Sequence, residues 1–163
     1  MNDLKNNKKL LFVGLATIAA LVFMVVALLL PKEPKIVFDP PPFEEMAEQG
    51  SPDVSDQDAY REFYQEGMAC RVKMNAAITF ENEKAIVYFT NPSENDVWLK
   101  LRILDVGGKI LGETGILRPG EYVRFVKLFE QLPVGSLVCL KVMGYEPDTY
   151  HSVGAVTINS IIN

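Results

Sequence analysis

The residues able to carry chemistry are few. His151 is the only histidine among 163 residues, which excludes a His-rich metal site and leaves any Ser-His-Asp arrangement resting on one ring. It lies between Tyr150 and Ser152 at the start of a β-rich run, where a solvated loop residue is expected rather than a general base. Cys70 and Cys139 are too few for a four-thiolate zinc site, and neither belongs to a C-x-x-C pair. Gly107-Gly108 lacks the spacing and the following helix of a phosphate-binding loop. Glu44, Glu45, Glu48, Asp53, Asp56 and Asp58 crowd one stretch without the D-x-D-x-D-G pattern of a calcium loop, so they read as solvated acids. The carboxylates of Asp105 and Glu113 would suit glycoside hydrolysis only if they faced each other across a cleft about 5–9.5 Å wide. The expected protein is therefore no enzyme, with no cofactor, no metal and no small-molecule substrate.

Aromatic residues are the better candidates. Trp98, Tyr88 and Tyr122 each alternate away from apolar neighbours, and Tyr60 and Tyr64 join Ala59 and Phe63 in one stripe at helical spacing. Large amphipathic rings of this kind recognise protein partners or sugars. Their structural alternative is cross-strand pairing, or burial beneath the 51–67 segment.

These residues need something to position them, and the first such element is Leu10–Leu30. This run has no charged side chain and only one hydroxyl, Thr17. As a helix it would rise about 31 Å, the thickness of a hydrocarbon core. Leu10, Val13, Ile18, Phe23, Val26 and Leu30 are expected to face lipid as a membrane anchor. Lys5, Lys8 and Lys9 make residues 1–9 a basic cytoplasmic tail, which places everything after Leu30 outside the cell as a single-pass protein. The run ends in Leu28, Leu29, Leu30 and Pro31 with no small-residue cleavage site, as in a retained signal anchor.

Residues 31–163 carry 13 Lys/Arg and 20 Asp/Glu, a net charge of −7. That argues against nucleic acid and against adsorption to anionic lipid. Pro31, Pro34, Pro40, Pro41, Pro42 and Pro52 mark 31–52 as an acidic, Pro-rich linker, stiffened as polyproline II at 40–42. Ser55 as N-cap, Asp56 and Asp58 in the first turn and Gly67 as a stop predict a short amphipathic helix over 53–67.

From residue 68 the period changes to two. Lys73–Phe80, Ala85–Thr90, Val97–Ile103, Lys109–Thr114, Tyr122–Phe129, Ser136–Tyr145 and Val153–Ile162 read as strands, with turn residues between them. Seven short strands predict a mainly β chain whose 68–163 domain is an antiparallel two-sheet, Ig-like β-sandwich. A Cys70–Cys139 disulfide would close a long loop worth about 4 kcal/mol in the chain-entropy model. Against it, Cys139 should point away from the core face of Val138 and Leu140, and the sequence leaves the pairing open.

The patterns NPSENDVWLKLRIL, GGKILGETGILRPGEYVRFVKL and LPVGSLVCLKVMGYEPDT, together with Met74-Asn75, resemble a widespread group of membrane-anchored proteins of Gram-positive bacteria. That group has an N-P-x-x-N turn before a strand, then a D-G-x-x-L-x-x-S-G-x-I-x-P-G stretch, then L-x-x-G-x-Y-x-A-x-V. The likeness covers about 70–163. Gly107-Gly108 stands for Asp-Gly, Thr114 for the usual Ser, and Ser136-Leu137 for the Gly-to-Tyr step. It implies the fold and carries no assigned activity. The expected function is an anchored extracytoplasmic interaction module that binds or assembles with another envelope protein, as in secretion or conjugation machinery, or with itself. The alternative is a cell-wall glycan-binding or glycan-processing domain.

Overall fold

Apolar residues at every second position bury one face of a strand, and here they do so on both sides of a common core. In the computed structural model, which describes residues 23–24, 38–54, 59–64, 70–130 and 132–163, the unit Asp39–Asn163 contains ten strands in two antiparallel sheets. In chain order these are β1 (Glu48–Gln49), β2 (Tyr60–Phe63), β3 (Val72–Asn75), β4 (Thr79–Glu81), β5 (Lys84–Asn91), β6 (Trp98–Asp105), β7 (Ile110–Glu113), β8 (Glu121–Lys127), β9 (Leu137–Tyr145) and β10 (Ser152–Ile161). The larger sheet runs β1-β8-β5-β3-β2, with β4 also paired to β5; the smaller runs β10-β9-β6-β7.

Leu99, Leu101 and Ile103 of β6 and Val138, Leu140 and Val142 of β9 supply the inner face of the smaller sheet. Val72, Met74, Ala85, Val87, Phe89 and Val123 supply that of the larger. The result is a β-sandwich built, as its patterning predicts, on one core.

The turns follow from their residues. Glu81 pairs with Lys84, so Asn82 and Glu83 form a two-residue hairpin loop, both with left-handed φ of 48° and 65°. Asp105 Oδ1 accepts the backbone N–H groups of Gly107 and Lys109, and Gly108 takes φ 84°, which a side chain would resist. The expected strand over Lys73–Phe80 is two strands, because Ala76–Ile78 leaves the sheet to close one end of the sandwich. There Ile78 bridges Ile162, and the Ser160 hydroxyl donates to Ala76 O at 2.7 Å.

Two further expectations need correction. Where a helix over 53–67 is predicted, Tyr60–Phe63 is a strand paired in register with β3. Aromatic residues suit a half-buried strand as well as a helix stripe, and the exposed edge of β3 offers backbone partners that an isolated helical turn lacks. The predicted cap and first turn at residues 55–58, and the stop at Gly67, lie outside the described residues. Nor is the second half of the 31–52 linker a free spacer. From Asp39 onward it belongs to the folded unit. Pro42 O accepts the Ile116 N–H and Glu44 N–H donates to Ile116 O, both at 2.9 Å, while Glu48–Gln49 pairs with β8. Extended prolines are already in the conformation that such edge pairing requires, and their missing N–H groups cost nothing on the outer side.

The anchor residues Leu10, Val13, Ile18, Val26 and Leu30 lie outside the described residues; Phe23 and Met24 are helical and exposed. No helix among the described residues is long and apolar enough to cross a membrane.

Candidate interaction surface

Register across the larger sheet assembles a row that no single strand reveals. Glu62 of β2 pairs with Lys73 of β3, Lys73 with Thr90 of β5, Thr90 with Tyr122 of β8, and Tyr122 with Glu48 of β1. All five belong to the outer face, since their neighbours Val72, Met74, Phe89 and Val123 point into the core. The row is tied together chemically: Lys73 Nζ lies 3.7 Å from Glu62, and the Tyr122 hydroxyl donates to Glu48 at 2.7 Å. The hydrogen bond to Glu48, followed by slight burial and the Glu48 charge, holds the Tyr122 hydroxyl protonated above the usual phenol range.

The centre of this face is strained. Between Ile86–Phe125 and Phe89–Val123 the β5–β8 register gains a residue on β5, and Tyr88 in that bulge has φ 45°. A bulky residue rarely adopts the left-handed region, and bulges commonly re-aim a side chain. Here the bulge turns the Tyr88 ring outward, with the Arg124 guanidinium 5.9 Å from its centroid. A hydroxyl relay fixes it from behind. Thr90 Oγ1 donates its one proton to Tyr88 O at 3.0 Å, so the Tyr60 hydroxyl, 2.7 Å away, is the donor to Thr90. Two shallow cavities open here. One of about 190 Å³ is lined by Tyr88, Asn75, Ala77, Thr79, Ala59 and Val54 among others; one of about 130 Å³ by Lys73, Thr90, Ser93 and Glu94 among others.

Of the aromatic candidates, Tyr60, Tyr88 and Tyr122 thus share one face. Tyr64 is exposed, with the Arg71 guanidinium 4.9 Å from its ring centroid. Trp98 does not belong with them. It lies on the smaller sheet against Phe43 and Tyr150, with edge-to-face centroid distances of 4.9 and 5.1 Å, and the Arg118 guanidinium sits 3.6 Å from the Phe43 ring centroid. It serves to clasp the 39–50 strap. Alternation in β6 predicts that Trp98 leaves the core face, but nothing local shows that a segment more than fifty residues upstream covers it.

The motif residues are structural. Asn91, fully buried, donates through Nδ2 to Val97 O at 2.9 Å and Leu117 O at 3.0 Å. Its Oδ1 accepts from Asn95 Nδ2 at 2.7 Å, and Asn95 also exchanges hydrogen bonds with the Arg71 backbone. The N-P-x-x-N turn therefore stitches the β5–β6 connection to the 117–120 turn and to the start of β3.

The remaining candidates are separated. Asp105 caps its own turn. Glu113 lies opposite Arg102, 2.8 Å from its Nε and 3.1 Å from Lys100 Nζ. Burial opposes ionisation of Glu113, but the hydrogen bonds and charges of Arg102 and Lys100 outweigh it and hold the carboxyl below the usual range. A depressed folded-state value adds stability above the ordinary pKa near 4.5, and that stability is lost as pH falls through the lowered one. Accordingly, Glu113→Gln should destabilise the fold at pH 7 and much less at pH 3, measured by urea unfolding. His151 is exposed, with Nδ1 3.6 Å from Glu146.

The cysteines do not pair; both are free. Cys70 packs against the core beside Gly144, whereas Cys139 faces outward and its Sγ donates to Asn159 Oδ1 at 3.5 Å. Five residues of β9 separate those two places, about 17 Å of strand, and their side chains leave opposite faces. Burial pushes the Cys70 thiol up, away from the reactive thiolate.

Fold and face together define an antiparallel two-sheet β-sandwich bearing a tyrosine-rich outer surface. No family model and no curated protein matches the chain. Among solved structures it is similar to the crystal structure of CopC from Methylosinus trichosporium OB3b, at 18% identity and a TM-score of 0.34 over 55% of this chain and 85% of that one.

Proposed function

We propose that this protein is a non-catalytic interaction module: residues 10–30 anchor it in the cell membrane with its amino terminus in the cytoplasm, and the Ig-like sandwich binds another envelope protein from the extracytoplasmic side. The charge-free 10–30 run and the basic 1–9 tail support the anchor and its orientation; the motif likeness supports a Gram-positive setting. The observation that carries the binding reading is Tyr88, held at φ 45° by a bulge and a hydroxyl relay on a face shared with Tyr60 and Tyr122. Backbone strain kept in place by surrounding bonds is a mark of functional positions. Tyrosine supplies large contact area with few rotatable bonds, which suits the centre of a protein interface.

Full-length chain in detergent should capture a membrane-protein complex from native envelopes. Tyr88→Ala and Tyr122→Ala should each weaken that capture by about thirty-fold, a hot-spot loss of roughly 2 kcal/mol. Val106→Ser, on an exposed turn of the other sheet, should leave it unchanged. Capture by either tyrosine variant as strong as by the native chain, or retention of the chain by bare wall material, would overturn this reading.

A further inference from the structure

Unpaired strand edges invite further strands, and proteins blunt them with short length, charge or cover. Four of the five edge strands among the described residues are blunted. β1 has two residues; β2 has four, including Arg61 and Glu62; β7 has four, ending in Glu113 with Gly112 bridged to Leu128. β4, paired only with β5, has three residues and ends in Glu81. β10 is different. It has ten residues, and no charged side chain occurs from Ser152 to Asn163 in a chain of net charge −5.

The open part of this edge can be located from the hydrogen bonds. Ile161 O accepts Ile78 N–H and Asn163 N–H donates to Ile78 O, whereas Ile162 bonds Gly135 and Ser136 on the β9 side. Odd-numbered residues therefore present their N–H and C=O groups to the outer edge. At one end Ile78 occupies that edge; at the other the β9–β10 register shifts between Ser152 and Gly154. Between these limits, Ala155, Thr157 and Asn159 have no edge-side backbone partner among the described residues.

We infer that β10 pairs antiparallel with β10 of a second copy of this chain, about a two-fold axis at Thr157. The open stretch is centred on Thr157, as a symmetric pairing requires. In that register Thr157 faces Thr157 and Ala155 faces Asn159 as hydrogen-bonded pairs, and each exposed N–H and C=O meets its counterpart. Val156 faces Ile158 in the closer, non-hydrogen-bonded pairs. Both are only partly buried at the rim of the core, so pairing completes their cover. No like charges oppose each other at the seam, although the chain as a whole is acidic. The smaller sheets of two copies thus join into one continuous sheet of eight strands.

Full-length chain in detergent, with Cys70 and Cys139 both changed to Ser, tests this. In a hydrogen-bonded pair the Thr157 Cα atoms are about 5.5 Å apart, within disulfide reach. Thr157→Cys should therefore give a disulfide-linked dimer on addition of a thiol oxidant, and Ile110→Cys on the far edge strand should not. Separately, Thr157→Lys on the otherwise native chain sets two ammonium groups opposite each other at an exposed position. It should weaken dimerisation about ten-fold or more at low salt in sedimentation equilibrium, with the unfolding midpoint of the monomer unchanged. A monomeric native chain, equal cross-linking at positions 157 and 110, or a Thr157→Lys dimer as tight as the native one would each overturn the inference. None of these readings depends on Tyr88 or Tyr122, so the dimer and the partner-binding face stand or fall separately.

Discussion

Asn91→Ala is expected to cost about 3 kcal/mol of folding stability, far more than one surface polar residue usually contributes. The side chain is fully buried, and its amide serves three partners at once. Without it, Val97 O loses its side-chain donor in the interior, Leu117 O keeps only the Leu99 N–H, and one Asn95 amide bond has no acceptor. Each unsatisfied buried carbonyl costs about 1–3 kcal/mol, to which the vacated volume adds. No buried side-chain nitrogen or oxygen among the described residues lacks a partner, so the native fold offers no such defect for comparison. Asn91→Asp should do no better, because a carboxylate oxygen would replace the amide nitrogen that faces two carbonyls. Urea unfolding followed through the single tryptophan, Trp98, measures both; a loss under about 1 kcal/mol would mean that the turn re-satisfies itself.

Gly115→Ala is the second large effect, at about 2–3 kcal/mol. A Cβ there would lie 2.5 Å from Glu44 N and 2.7 Å from Phe43 C, both of them backbone atoms that cannot rotate aside. The strap must lift. It then loses Glu44 N–H to Ile116 O, Ile116 N–H to Pro42 O and the 2.7 Å bond from Gly115 N–H to Glu44 Oε2. It also takes Phe43 away from Arg118 and Trp98. Trp98 emission should shift to the red, and limited proteolysis should cut within 39–50 before the sandwich. Unchanged emission and an intact strap would refute the placement of Gly115 against it.

How much of this was legible beforehand depended on whether a residue's partner lay nearby in sequence. β6 and β9 were readable because Leu99, Leu101, Ile103 and Val138, Leu140, Val142 alternate against a single buried face. The 81–84 hairpin and the Asp105–Gly108 turn were readable because turn chemistry is local. Tyr60–Phe63 was not, since its rings satisfy a helical stripe and a strand equally until β3 supplies the ladder. The strap was not, because prolines describe an extended chain without saying what it lies against. The candidate face was half legible. Tyr60, Tyr88 and Tyr122 stood out as aromatics, but Glu48, Glu62, Lys73 and Thr90 join them only through register. The bulge that exposes Tyr88 leaves no mark in the sequence, and Trp98 shares the alternation of the tyrosines, which assigns a side without showing what covers it.

The strap also decides how the sandwich responds to tension. A tug on the chain upstream of Asp39 is borne first by the two bonds at Ile116 and by the Phe43 ring, and only later by the core. Those few contacts peel one after another, and their release would free residues 39–47, about 30 Å of chain at 3.3 Å per residue, before the pairing of β1 with β8 is loaded. In the anchored, partner-bound state proposed above, drag would pull out this slack first, while Glu48 stays bonded to Tyr122.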